Sequence, residues 1–181
     1  MLSIASPQEP SSPANGANIL HWYAVFTMPR HEKQVARHFD LRQIEHFLPE
    51  YERSSVWANR QVVRVHVPLF PRYLFARFDG RTSNRVRRTP GVVQIIGNDR
   101  GPIAVPSREI EFLRESLLKG KKVEPYPDLP IGCRVRICKG TMRGIEGVLI
   151  RKDKRDRFAL TFSSIRQSIL VEVSAACLEP L

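Results

Sequence analysis

The 181-residue sequence predicts an α+β fold: an N-terminal antiparallel sheet flanked by helices, followed by a small all-β barrel. In the first two thirds of the chain, extended segments alternate with helical spacing, as expected for helices packed on an antiparallel sheet. From residue 130 onwards, short strand-like runs separated by glycines indicate four or five strands, which suits a small curved barrel.

Changes in composition give the predicted domain boundaries. Residues 1–18 are rich in Ser, Pro, Asn and Gly, so we expect a flexible tail there. A first domain is predicted over residues 19–118 and a second over residues 130–181. The charged, proline-rich stretch 119–129 shows no periodicity and is typical of a semi-rigid linker.

The first domain begins with a predicted strand and helix. Residues 22–28 are mostly aromatic and aliphatic, which favours a strand, and Pro29 then breaks it. The next segment has helical spacing, because apolar residues recur among charged ones at Val35, Phe39 and Ile44. Beyond it, extended chain is predicted around a turn at Ala58-Asn59.

A second strand is predicted from Arg72 to Phe78. Pro68 and Pro71 fit only at its frayed start, because proline cannot donate a backbone hydrogen bond to a sheet. Successive side chains of a strand point to opposite faces. We therefore expect one face to carry Tyr73 and Phe75, and the other to carry Leu74.

Three more elements complete the first domain. Residues 79–88 are typical of a short basic helix or loop, and residues 89–97 of a turn that leads into a strand. A last helix is predicted to start at Pro106-Ser107, with Glu109 near the positive end of its dipole. Its apolar face consists of Ile110, Leu113 and Leu117.

The chain is strongly basic, with 29 Lys and Arg against 18 Asp and Glu and a formal net charge of +11. An excess of this size favours a polyanion as a partner, because cations on phosphates release counterions. A basic surface that serves only solubility is the alternative.

Cysteine content and hydropathy indicate the compartment. Cys133, Cys138 and Cys177 form neither an even set nor a zinc-ligand pattern, and we expect small buried residues in a reducing compartment. The sequence shows no signal-peptide pattern and no run of about 20 apolar residues. We expect a soluble, cytoplasmic protein that does not enter a membrane.

Four motifs in the first domain and one in the second resemble the NusG family of transcription elongation factors. They are, in order, WYAVFTMPRHEKQVA, PLFPRYLFARFD, TPGVVQIIG, VPSREIEFLRE and GCRVRICKGTMRGIEGV, the last of which looks like a KOW motif. The resemblance implies an N-terminal domain that binds the clamp helices of RNA polymerase. It also implies an SH3-like KOW barrel that recruits other factors, for which a ribosomal protein and the terminator Rho are the candidates.

The resemblance further implies a hydrophobic cup that receives the tip of the clamp helices. Rigid aromatic side chains suit such a role, because they lose little entropy on binding. Packing in the core of the domain is the alternative for part of the set. The matching positions are Phe26, Phe70, Pro71, Tyr73, Phe75, Ile110 and Leu113.

Two basic clusters match family positions near nucleic acid. The resemblance implies that they lie close to non-template DNA or nascent RNA, where a contact needs only positive charge and reach; a solvated helix face is the alternative. A neighbouring loop, Arg81, Thr82 and Ser83, is implied to contact polymerase a second time. The basic positions are Arg30, His31, Lys33, Arg37, His38, Arg85, Arg87 and Arg88.

The sequence departs from the housekeeping pattern of the family. Arg72 replaces a common glycine, and Met142, Ile145 and Ile165 stand where phenylalanine is frequent. The motif wording is closer to specialised paralogues that act in antitermination. The KOW-like glycines suit turns or close backbone approach and are predicted to be structural: Gly140, Gly144 and Gly147.

Together these features predict a monomeric elongation and antitermination factor that favours processive transcription over pausing or termination. An enzyme is not expected: the five His are scattered without a catalytic motif, and we expect neither a metal nor a cofactor. The alternative is a ribosome-associated KOW-type RNA-binding protein.

Overall fold

The computed structural model describes residues 19–56, 60–126, 132–152, 155–174 and 177–181. The predicted tail and the predicted turn at Ala58-Asn59 lie outside the described residues. Within them the chain has the predicted α+β fold, with three helices and fifteen strands.

Two helices lie where apolar spacing predicted them, and the third, Ser83–Arg87, lies in the basic segment predicted as a short helix or loop. They are α1 (Glu32–Leu41), α2 (Ser83–Arg87) and α3 (Ser107–Leu118). The strands are β1 (His21–Thr27), β2 (Glu45–Phe47), β3 (Glu50–Val56), β4 (Val62–Pro68), β5 (Tyr73–Phe78), β6 (Val92–Ile95), β7 (Gly97–Asn98), β8 (Gly101–Pro102), β9 (Ala104–Val105), β10 (Val123–Tyr126), β11 (Cys133–Ile137), β12 (Glu146–Lys152), β13 (Arg155–Phe162), β14 (Gln167–Glu172) and β15 (Leu178–Pro180).

Five strands form the N-terminal sheet, in the order β2-β5-β1-β6, with β9 also paired to β1. All of its pairings are antiparallel, as predicted. The register places Phe26 of β1 opposite Tyr73 of β5, with ring centroids 5.0 Å apart. β3 and β4 form a separate hairpin.

The two faces of the N-terminal sheet carry separate apolar clusters. On one face, Val25 and Leu74 pack with Val35 and Phe39 of α1. On the other, Phe75 and the adjoining Tyr73 belong to the cluster that contains apolar residues of α3. The predicted alternation of Tyr73 and Phe75 against Leu74 is therefore confirmed.

β7 and β8 form a second two-stranded pair. The last six strands form the C-terminal sheet, in the antiparallel order β10-β14-β13-β12-β11-β15. Its first strand, Val123–Tyr126, lies inside the stretch predicted as a linker and pairs with β14. That part of the linker prediction was wrong: Val123 packs against the sheet as a buried residue despite its charged, proline-rich surroundings. The domain boundaries themselves remain predictions.

One apolar cluster joins the two sheets. It includes Phe70, Phe75 and Leu113 from the N-terminal part of the chain, and Phe158 and Phe162 from the C-terminal sheet. The face of the N-terminal sheet opposite α1 is thus covered by α3 and the C-terminal sheet together.

The cysteines are less buried than predicted. Cys133 is exposed, and Cys138 and Cys177 are half-buried. They lie at the ends of strands, where the side chains of the sheet core no longer cover them. The prediction of three buried cysteines was wrong.

None of the three helices has the length and hydropathy that a membrane-spanning segment needs, as far as the described residues go. Over the same residues, no three His, Cys, Asp or Glu side chains are grouped so that they could hold a metal ion.

Candidate functional site

The turn that leads into β5 presents the aromatic residues on which the predicted site depends. The backbone N–H of Tyr73 donates to the carbonyl of Phe70 at 3.0 Å, which closes the turn. Within it Arg72 has a φ of 70°, a left-handed conformation that favours glycine. This explains why glycine suits the position that Arg72 occupies.

Two contacts offset the cost of arginine in that conformation. The carboxylate of Glu32, buried at the start of α1, accepts the Arg72 backbone N–H at 2.6 Å. The guanidinium lies 4.1 Å from the centroid of the Phe26 ring, within the range of a cation–π interaction. Glu32 therefore fixes the aromatic turn against α1.

The seven residues predicted to form the cup lie on the α3 side of the N-terminal sheet or at its edge. Four of them are at most 1% exposed: Phe70, Phe75, Ile110 and Leu113. Phe26 and Tyr73 are half-buried and Pro71 is exposed. We call this set the apolar surface: Phe26, Phe70, Pro71, Tyr73, Phe75, Ile110 and Leu113.

The C-terminal sheet covers part of the apolar surface. The Phe162 ring of β13 lies 5.1 Å from the Phe70 centroid and 5.6 Å from that of Phe75, and Phe70 and Phe75 are 5.8 Å apart. The three rings form one aromatic cluster across the contact between the C-terminal sheet and the apolar surface. We call this contact the seam. A second pair, Phe112 of α3 and Phe158 of β13, has centroids 5.5 Å apart.

Polar contacts close the edge of the same seam. The Thr141 hydroxyl, in the turn between β11 and β12, lies 2.7 Å from both carboxylate oxygens of Glu115 on α3. Lys119 also donates to Glu115, and these two partners hold the pKa of the Glu115 carboxyl below its usual range. A cavity of ≈ 300 Å³ beside them is lined by residues from both sides, among them Arg108 and Arg143.

Sequence reasoning missed this cover. Phe158 and Phe162 lie in one of the short strand-like runs predicted beyond residue 130, and strand periodicity does not identify the surface on which a side chain packs. Met142, Ile145 and Ile165, noted as departures from the family pattern, are also buried in the shared cluster. The large aromatic side chains of Phe158 and Phe162 were the sequence signal that could have indicated packing against another surface.

The predicted nucleic-acid positions lie on the opposite side of the N-terminal sheet, on α1, α2 and their flanks. Reciprocal bonds hold the two helices together: Arg42 donates to the Arg85 carbonyl at 3.1 Å, and Arg85 to the Arg42 carbonyl at 2.8 Å. We call this side the basic face. Its exposed cations include Arg30, Lys33, Arg37, Arg85, Arg87 and Arg88.

Four members of the predicted set have other partners or are turned inward. Lys33 pairs with Glu50 at 2.8 Å and also bonds the His66 carbonyl. His31 contacts the Pro29 carbonyl at 2.9 Å, and the Nε2 atom of the half-buried His38 is inaccessible to solvent. Arg85 donates to the Arg42 carbonyl, so Arg30, Arg37, Arg87 and Arg88 are better placed to meet a phosphate.

The predicted second polymerase contact lies at the start of α2. The Thr82 backbone N–H donates to the Asp79 carboxylate at 2.8 Å, and hydrogen bonds from Thr82 hold the pKa of Asp79 below its usual range. Arg81 is exposed, whereas Thr82 and Ser83 are half-buried. The loop is thus a fixed turn beside the basic face.

Glu109 provides a prediction about stability. Burial raises the pKa of its carboxyl to about 7, against the lowering that the helix dipole alone would give. The folded state binds this proton more tightly than the unfolded state, so the stabilisation present at acidic pH is lost as pH rises from about 4.5 to about 7. We expect Glu109→Gln to remove this loss and to raise the free energy of unfolding by about 1 kcal/mol at pH 8. The gain is smaller than the pKa shift alone would give, because the side chain is partly exposed.

Urea unfolding at pH 5 and pH 8 measures the effect of Glu109→Gln. Glu111→Gln, an exposed neighbour on the same helix, is the control and should leave the difference between the two pH values unchanged. An unaltered pH dependence in Glu109→Gln would contradict the assignment.

Comparison with known proteins identifies the class. The family model described as "Transcription termination factor nusG" matches residues 20–114, more than half of the chain. The chain therefore belongs to the NusG family, whose members are non-enzymatic transcription factors. The matched region contains all of the apolar surface and all of the basic face.

Among solved structures, two matches each extend over most of the chain. One, described as "Domain interaction in Thermotoga maritima NusG", is 20% identical with a TM-score of 0.54, covering 90% of this chain and 98% of that one. The other, a "MjSpt4:Spt5 complex conformation B", is 18% identical with a TM-score of 0.30 over 88% of this chain and 96% of its own. The first supports the α+β fold.

Proposed function

We propose that this protein is a transcription elongation and antitermination factor that binds the clamp helices of RNA polymerase through the apolar surface. It acts as a cytoplasmic monomer and favours processive elongation over pausing or termination. It has no catalytic step of its own. Its effect is a population shift: a factor that binds the elongating conformation of polymerase more tightly increases the share of that conformation.

The aromatic cluster at the seam carries the proposal. Phe162 of the C-terminal sheet completes the packing of Phe70 and Phe75, so both rings would lose part of their cover if that sheet moved away. A contiguous apolar patch with rigid aromatic residues is typical of an interaction surface. The family to which residues 20–114 belong supplies the partner, because its members act in transcription.

The covered state implies that polymerase competes with the C-terminal sheet. Binding to the clamp helices requires the sheet to move away from the apolar surface, so the apparent affinity falls with the fraction of uncovered protein. Once released, the C-terminal sheet is free to recruit a further factor; a ribosomal protein and Rho are the candidates.

The experiment that tests the proposal is binding of the full chain to its cognate RNA polymerase. We expect Tyr73→Ala to weaken binding about tenfold or more, equivalent to about 1.4 kcal/mol, because the half-buried ring adjoins the seam and would contact the clamp helices. The Tyr73 ring packs on Phe26 of the neighbouring strand, so part of its contact area lies within the N-terminal sheet.

Tyr23→Ala is the matched control. Tyr23 is also a half-buried tyrosine of the N-terminal sheet, but it packs on Phe78 on the face towards α1. The Tyr23→Ala variant should bind polymerase with the affinity of the wild type, provided that both variants remain folded. Equal losses in the two variants would overturn the assignment of the apolar surface.

We further propose that the basic face holds non-template DNA or nascent RNA in the elongation complex. Removing one exposed phosphate contact should weaken binding to single-stranded nucleic acid. It should also reduce the slope of log K against log salt concentration by about 1. We expect this of Arg88→Ala and Arg37→Ala, measured by fluorescence anisotropy at several salt concentrations. Arg64→Ala is the control, because Arg64 is exposed on the β3–β4 hairpin and pairs with Glu52 at 3.1 Å.

The ribosome-associated alternative makes a different prediction for the same assays. A KOW-type RNA-binding protein would bind RNA with a steep salt dependence and would bind polymerase no more tightly than other proteins do. That result with the wild-type chain would replace the elongation proposal. The aromatic cluster at the seam favours polymerase, since binding to RNA phosphates needs no apolar surface.

A further inference from the structure

Two cysteines flank adjacent strands of the C-terminal sheet: Cys138 directly follows β11, and Cys177 directly precedes β15. β11 and β15 are antiparallel, with Arg136 opposite Glu179 and Ile137 opposite Leu178. The next pair in this register is Cys138 and Cys177, and the Cys138 backbone N–H donates to the Cys177 carbonyl at 2.8 Å. This one backbone bond joins the two residues, since the Cys177 N–H donates to the Ser174 carbonyl at 2.9 Å, and it keeps their Cα atoms roughly 5–6 Å apart, a separation common in disulfides.

Continued by one residue, the register of β11 and β15 places both cysteine side chains on the outer face of the sheet. Arg136, two residues before Cys138, forms an ion pair with Glu179, two residues after Cys177, at 3.8 Å. Side chains two apart on a strand lie on one face, so the cysteines belong to the face that carries this ion pair. Ile137, between them in the sequence, points to the buried face.

Both cysteines are accessible to a small reagent. They are half-buried, and Cys177 lines a small cavity together with Lys121 and Lys139. Two lysines beside a thiol suit a reagent with carboxylates, since opposite charges raise its local concentration. An acidic disulfide of the glutathione type fits this surrounding.

We propose that Cys138 and Cys177 are a redox-sensitive pair that forms an intramolecular disulfide when the cell becomes oxidising. In a reducing compartment such a disulfide is transient, as is usual for redox-sensing pairs. The sequence contains three cysteines and does not show which two are neighbours in the fold. Cys133, the third, lies at the far end of β11, opposite Leu149. This inference does not depend on the proposed function.

The reaction balances with oxidised glutathione as the oxidant. The thiolate of one cysteine attacks a sulfur of oxidised glutathione, forms a mixed disulfide and releases one glutathione. The thiolate of the second cysteine attacks the cysteine sulfur of that mixed disulfide and releases the other glutathione. Two protein thiols are oxidised to one disulfide, and one oxidised glutathione is reduced to two thiols, which take up the two protons.

The disulfide would stabilise a specific part of the molecule. It joins the last strand, β15, to β11 just before the turn that carries Thr141, the residue that bonds Glu115 across the seam. It also closes a long loop through β12, β13 and β14, which restricts the unfolded chain. The oxidised form should therefore melt at a higher temperature than the reduced form.

The test treats the folded, full-length Cys133→Ser variant with oxidised glutathione and maps its thiols by mass spectrometry. We expect a monomer that has lost two hydrogen atoms, one linked peptide pair containing Cys138 and Cys177, a raised Tm and full reversal by dithiothreitol. Cys138→Ser and Cys177→Ser each retain the two other cysteines. They should give only mixed disulfides with glutathione and no intramolecular link.

Four outcomes would overturn the proposal. They are free thiols after treatment, mixed disulfides alone in Cys133→Ser, links between two molecules, or a dominant link to Cys133 in the wild type. A linked Cys138–Cys177 pair whose Tm equals that of the reduced form would retain the redox pair and overturn its stabilising role.

Discussion

Phe162→Ala should raise the affinity of the full chain for RNA polymerase by about tenfold or more. The Phe162 ring packs on Phe70 and Phe75 only when the C-terminal sheet covers the apolar surface. Truncating a buried phenylalanine lowers stability by about 3–5 kcal/mol. The part of this loss that comes from contacts across the seam destabilises only the covered state. The uncovered, binding-competent fraction therefore increases.

A second variant separates opening of the seam from unfolding of the C-terminal sheet. Thr141→Val removes the hydroxyl that bonds Glu115 but keeps the size of an exposed side chain. We expect a smaller gain in polymerase affinity, roughly two- to tenfold, with an unchanged Tm. Affinity that stays at the wild-type value in both variants would show that the sheet does not compete with polymerase.

Gly147→Ala should destabilise the C-terminal sheet by about 3 kcal/mol or more. A Cβ at this position would lie 2.3 Å from the Ala159 carbonyl oxygen and 2.5 Å from the nearest atom of the Phe158 ring. The oxygen belongs to the neighbouring strand β13, which cannot shift without losing its pairing with β12. Urea unfolding followed by circular dichroism measures the change.

Gly80→Ala is the control for Gly147→Ala. No atom lies within 4 Å of the Cβ that this change would add, and we expect an effect within about 0.5 kcal/mol. If Gly147→Ala were as stable as Gly80→Ala, the close packing of β12 on β13 would be wrong.

The sequence predicted the elements of the fold because their signals are local. Hydrophobic spacing located α1 and α3, and strand alternation placed Tyr73 and Phe75 on one face and Leu74 on the other. The family pattern located the apolar surface through PLFPRYLF. Each of these inferences depends on residues that are near one another in the chain.

The features that the sequence did not predict depend on distant residues. Nothing near Phe162 indicates that its ring packs on Phe70, more than 90 positions earlier. Val123 lies in a strand because it pairs with β14. This pairing overrides the local preference of a charged, proline-rich segment. The opposed cysteines likewise become neighbours only through the register of β11 and β15.

The central claim is that the C-terminal sheet and polymerase compete for the apolar surface, and a reversible lock on the seam tests it most directly. Glu115→Cys and Thr141→Cys, in a chain whose native cysteines are serine, place one thiol on each side of the seam. A short bis-maleimide with a reducible link then joins them. We expect the locked protein to bind polymerase at least about tenfold more weakly than the same protein after reduction. Equal affinity in the locked and reduced forms would contradict the claim.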